Sequence, residues 1–216
     1  MTRIKFCGIT RPEDAVVASE AGASHIGVVL AESPRRVATD RASEIFAASP
    51  TLRRVGVFRP GAVWELLRDA SRAGVEIMQL HGKFSDGELS ELRDSFDGEL
   101  WGVLPVDVAQ PGDFGDWEPL ADAVDAILLD TSIAGTSGGT GIPFDWHAAK
   151  SLAEAIKVRS ELIVAGGLDP GNVGGAVRIL APMMVDVSSG VESAPGIKDP
   201  GLMRAFAKAV RSASIV

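Results

Sequence analysis

The chain has 216 residues, 46% of them apolar and 23% charged, a globular composition that leaves room for one domain or two small ones. Its 29 acidic residues outnumber 21 basic ones, giving a formal charge of −8, and no basic cluster marks a nucleic-acid footprint, so no nucleic-acid partner is expected. No apolar run is long enough for a membrane span, MTRIKFCG lacks a secretory pattern, and a lone cysteine cannot form an internal disulfide; a cytoplasmic protein without a membrane partner is expected.

Short apolar runs alternate with longer amphipathic stretches along the chain. Strands are predicted at 4–7, 25–30, 54–58, 76–80, 100–105, 126–130, 162–165 and 184–187. Most are rich in Val, Ile and Leu without polar alternation, as strands covered on both faces are. The clearest helices are predicted at 12–21, 41–48, 62–73, 86–95 and 201–212, with Thr10, Asp40 and Ser85 as cap-like residues before three of them. Eight strand candidates, one about every 27 residues, suit a minimal βα repeat and predict a single (βα)8 barrel over residues 1–216, classed α/β. An open doubly wound sheet competes, but its Gly-rich fingerprint after the first strand is missing.

In such a barrel, residues at the C-terminal ends of strands build the active site. Cys7, in KFCGIT, ends the first strand directly before a glycine. ESPRRV follows the second strand, and either Arg35 or Arg36 suits a carboxylate in a bidentate fork. His81, in MQLHG, ends the fourth strand and either closes it or donates to a ligand. Asp130, in AILLDTS, ends the sixth; it either caps the next loop or serves as a general acid or base.

Three glycine-rich stretches crowd the last third: SGGTG at 137–141, AGGLDPGN at 165–172 and DVSSGVES at 186–193. The last two follow strands seven and eight, where barrels bind phosphate through close backbone approach and free N–H groups. Such loops also supply the local positive potential that an acidic chain needs to hold an anion. His25 and His147 read as structural, and no His, Cys and carboxylate cluster has metal-ligand spacing.

Together these motifs resemble the phosphoribosylanthranilate isomerase family. The matching stretches are KFCGIT, SPR, QLHG, LLDT, GGTG with FDW, GGLDPGNV, and DVSSGVE with PGIKD, in the family's order and over nearly the whole chain. The resemblance implies an Amadori rearrangement of an aminoaldose phosphate in a (βα)8 barrel, without metal or cofactor. It makes Asp130 the general acid, Cys7 the general base and Arg35 the holder of the substrate carboxylate. His81 and Asp186 would contact the substrate, while Gly139, Gly141, Gly166, Gly167, Ser188, Ser189 and Gly190 would grip its phosphate.

A thiolate base is helped by nearby cations or amide dipoles, and the acid needs a raised pKa. Val28 and Leu30 depart from the aromatic residues usual in the family, and Ile142 and Pro143 from a Lys-Thr-like pair. Two readings compete: the related histidine-pathway isomerisation, whose barrels use two aspartates, and a phosphate-binding barrel without catalysis. The partner expected is a phosphorylated small molecule, with the chain a monomer or homodimer.

Overall fold

The computed structural model describes residues 1–110, 114–133, 136–137 and 142–214. Eight parallel strands close on themselves: β1 (Arg3–Phe6), β2 (His25–Val29), β3 (Arg53–Phe58), β4 (Ile77–Leu80), β5 (Glu99–Asp107), β6 (Ala126–Ile133), β7 (Glu161–Val164) and β8 (Met184–Val187). Each pairs with its sequence neighbours, and β8 returns to β1 with Lys5 opposite Asp186. Around them run α1 (Pro12–Glu20), α2 (Thr39–Ala47), α3 (Val63–Ala73), α4 (Asp86–Ser95), α5 (Glu118–Ala123), α6 (Lys150–Arg159), α7 (Val173–Leu180) and α8 (Pro200–Ala213). This is the closed (βα)8 barrel that the spacing predicts. Among the described residues, no helix is long and apolar enough to cross a membrane.

Strand period 2 sorts the apolar residues into two buried sets. Val55, Ile77, Trp101, Leu128, Ile163 and Met184 fill the barrel. Ile4, Phe6, Ile26, Met78, Ile127 and Val185 point the other way and pack beneath the helices. Because both faces are covered, polar residues inside the barrel stand out: Lys5, Gln79, Asp130 and Asp186 are all buried.

Several boundaries differ from the prediction. The ladder between β5 and β6 continues to Asp107 opposite Ser132, so β6 runs past Asp130 instead of ending there. Its pairing with β7 stops at Leu129, which leaves Asp130 at the barrel mouth all the same. The Thr10 hydroxyl does not cap α1 but donates to the Gly196 carbonyl. Asp40 lies inside the first turn of α2, and Ala38 is the cap position. Ser85 does cap α4, in a reciprocal box with Glu88. The opposite, N-terminal mouth carries ion pairs: Arg3 to Glu161 at 3.1 Å, Arg54 to Glu76 at 3.2 Å, and Arg53 to Glu99.

Candidate active site

A cavity of about 330 Å³ opens at the C-terminal mouth of the barrel. Cys7, Arg35, His81, Asp130 and Asp186 line it, together with Gly166, Gly167, Ser188 and Ser189. The side chains thus come from strand ends or following loops of β1, β2, β4, β6, β7 and β8. Arg36 is exposed and bridges back to Val29, so Arg35 is the arginine in the wall. Gly139 and Gly141 lie outside the described residues. Gly190 is not in the lining; a Cβ there would sit 1.9 Å from the Leu168 carbonyl oxygen, so its bare backbone brings the loops after β7 and β8 together.

The glycine after Cys7 has a steric reason. Gly8 takes φ +69°, and a Cβ there would lie 2.6 Å from Arg35 Cδ and 2.9 Å from Ser188 Oγ. Three loops therefore converge on the residue beside the thiol. After β7, Gly166 and Gly167 also take positive φ, and a Cβ on Gly166 would strike the Thr131 amide nitrogen at 2.3 Å. The Asp169 carboxylate accepts from the Gly171 and Asn172 amides at 2.6 and 3.0 Å, and Asn172 Nδ2 donates to the Gly167 carbonyl at 2.7 Å. That network fixes the turn in which Gly166 and Gly167 border the cavity, and among the described residues their amides donate to no protein group.

Charge in the site is arranged in two buried clusters. In the first, Lys5 Nζ reaches Asp186 Oδ2 at 2.9 Å and Gln79 Oε1 at 2.8 Å, deep in the barrel. Burial alone would push this ammonium down, but Asp186 and Cys7 outweigh it and hold the lysine above its usual range. Asp186 Oδ1 is buried without a hydrogen-bond partner. In the second cluster, Glu192 accepts from Arg35 Nε and Nη2, both at 2.8 Å, and from Lys198 Nζ at 2.8 Å. Lys198 Nζ also donates to the Ser188 carbonyl at 3.0 Å, which ties this cluster to the loop after β8. Burial would raise the Glu192 carboxyl, yet the bonds from Arg35 and Lys198 bring it below its usual range.

Asp130 and Cys7 respond differently to this field. Burial, then the negative Asp186, lift Asp130 to about 7; the Thr131 amide and Lys5 pull it back only in part. A carboxyl that keeps its proton near neutrality is what a general acid requires. The thiol of Cys7 is raised as well, against the expectation that nearby cations would depress it. Burial outweighs the pull of Lys5, and Asp186 adds to it. His81 is lowered by burial and then by Arg59, which keeps its imidazole neutral.

Four polar residues of this constellation escape a reading of the sequence as site residues: Lys5, Gln79, Glu192 and Lys198. Each sits inside a motif already singled out, and a lysine between Ile4 and Phe6 in a buried strand is the signal that points to the first of them.

Residues 4–209 match the family model described as N-(5′-phosphoribosyl)anthranilate (PRA) isomerase. The N-(5′-phosphoribosyl)anthranilate isomerase of Rubrobacter xylanophilus is 42% identical over 98% of this chain and 100% of its own length. The phosphoribosyl anthranilate isomerase structure from Thermotoga maritima superposes with a TM-score of 0.84 at 31% identity, covering 98% of this chain and 100% of that one. A second structure, with a TM-score of 0.79 at 30% identity and the same coverage, is an isomerase in complex with reduced 1-(o-carboxyphenylamino)-1-deoxyribulose 5-phosphate. With the family model spanning nearly all of the chain and the solved structures matching its whole fold, this chain belongs to the N-(5′-phosphoribosyl)anthranilate isomerase family.

Proposed function

We propose that the chain converts N-(5′-phosphoribosyl)anthranilate to 1-(2-carboxyphenylamino)-1-deoxyribulose 5-phosphate, by general acid and base catalysis, in tryptophan biosynthesis. The observation that carries this reading is one cavity holding a carboxyl poised near 7, on β6, and the chain's single thiol, directly after β1, beside two glycine loops.

The Asp130 carboxyl gives its proton to the ribose ring oxygen. As the C1–O bond breaks, the nitrogen lone pair forms a C1=N Schiff base. That cation acidifies the C2 proton, so a modest base is sufficient, and Cys7 as thiolate removes it. The C–H electrons become a C1=C2 bond and the C=N electrons return to nitrogen, giving an enolamine. Tautomerisation places a proton on C1 and takes one from the C2 hydroxyl. The proton gained by Cys7 balances the one given by Asp130, and solvent passes it back.

Substrate orientation follows from the charges. Arg35 would hold the anthranilate carboxylate through the N–H groups that Glu192 does not use. The amides of Gly166, Gly167 and Ser189, with the Ser188 and Ser189 hydroxyls, would bind the phosphate. His81, as neutral imidazole, and the unpartnered Asp186 Oδ1 offer a donor and an acceptor to the sugar hydroxyls.

The test is turnover of freshly generated N-(5′-phosphoribosyl)anthranilate, followed by loss of its fluorescence. Conversion by the folded chain is the expected result. A folded chain without turnover would overturn the proposal.

A further inference from the structure

The proposed base has a difficulty: a thiolate must form in a site from which burial expels charge. Lys5 is wholly buried on β1, two residues before Cys7, where an apolar residue would otherwise fit the barrel interior. Two of its three donors are taken by Gln79 and Asp186. The third has the sulfur as its neighbour. A Cβ on Gly27 would lie 2.9 Å from Cys7 Sγ, 3.0 Å from Lys5 Cε and 3.2 Å from Lys5 Nζ. Thiol and ammonium therefore converge on the space that Gly27 leaves empty.

We propose that Lys5 is the positioning residue for the base, its ammonium providing the counter-charge that lets Cys7 exist as a thiolate, with Gly27 as the gap where the two meet. The catalytic part of this inference rests on reading Cys7 as the base. Charge balance supports it. Lys5 on β1, Lys198 in the segment Ile197–Lys198, and Arg35 after β2 face two carboxylates, Asp186 on β8 and Glu192 on Glu192–Ala194. With Asp130, which shares the cavity, holding its proton as the acid role requires, three cations against two anions leave one positive charge uncompensated, and a thiolate at Cys7 cancels it. Lys5 lowers the thiol more than Asp186 raises it, and Lys198 adds a smaller lowering.

Because Cys7 is the only cysteine, thiolate absorbance against pH reads it directly, with Cys7→Ser as the blank. The proteins to compare are the wild type, Asp186→Asn, Gly27→Ala, Lys5→Met and the double variant Lys5→Met/Asp186→Asn. The double variant removes both charges, so it avoids the buried, unpaired Asp186 that Lys5→Met alone would leave. Its midpoint is expected at least about one pH unit above the wild type, roughly tenfold less thiolate at neutral pH. Gly27→Ala should also move the midpoint up, and Asp186→Asn should move it down. Coincident midpoints in the wild type and the double variant, or an upward shift in Asp186→Asn, would overturn the pairing.

In turnover, the kcat of Gly27→Ala, and of Lys5→Met where it folds, should recover as pH approaches the shifted midpoint. A loss equal at every pH would mark a structural role and overturn the proposal. The titration needs no substrate. A wild type that shows the thiol shifts but no turnover would therefore sink the isomerase reading and leave the pairing standing.

Discussion

Asp130 carries the most informative single charge in the molecule. Its carboxyl titrates at about 7 in the folded chain, against an ordinary value of 3.8, because burial and then Asp186 disfavour the anion. Between those two values the folded state binds the proton and the unfolded state does not. Stability from this residue is therefore fully present below about pH 4 and declines as pH rises through 7. Above that, the buried anion is a standing cost. Asp130→Asn should accordingly make the protein more stable at pH 8 by on the order of 1–3 kcal/mol, a difference that vanishes below about pH 4. Urea titrations of both proteins at the two pH values check this, and an asparagine variant less stable at pH 8 would contradict it. Cys7 and Asp130 were legible in the sequence because each ends an apolar run that points to a strand. Their titration was not: the rise of the thiol depends on burial, which no local pattern records.

Among the elements, the loops after β7 and β8 turn a plain barrel into a site. Gly166 takes φ +78° and lies against the Thr131 amide, so neither its backbone conformation nor its surroundings admit a side chain. Gly166→Ala should cost ~1–3 kcal/mol of stability and raise KM for the phosphorylated substrate at least about tenfold. Denaturant midpoints and steady-state kinetics check both, and an unchanged KM would remove this loop from the phosphate grip. Most strand positions were readable from runs rich in Val, Ile and Leu, and the predicted bounds of β8, Met184–Val187, are those observed. Helices α5, α6 and α7 were harder. Pro119 opens a helix of only six residues, and Gly174 and Gly175 dilute the helical pattern of α7. Gly175 answers to tertiary contact: a Cβ there would lie 2.9 Å from the Trp146 ring. Thr10 looked like a cap because its residue type fits one, yet its hydroxyl goes to Gly196, far away in sequence.

At the scale of the whole molecule, charge is sorted by face. The N-terminal mouth holds Arg–Glu pairs that remain in reach of solvent and contribute little each. The C-terminal half instead gathers buried Lys5 and Lys198 and half-buried Arg35 beside two carboxylates, giving an acidic chain a local positive region for an anionic ligand. The (βα)8 architecture follows from eight evenly spaced apolar runs, but the Arg35–Glu192–Lys198 cluster does not, since it joins residues 157 and 6 positions apart. The central claim is that the C-terminal mouth isomerises by acid and base from opposite sides of one cavity. Steady-state turnover of Cys7→Ser and Asp130→Asn beside the wild type tests it most directly, with binding of a reduced product analogue measured on the same preparations. Both variants should lose kcat by at least about a hundredfold while still binding the analogue. Near-normal turnover in either variant would contradict the claim.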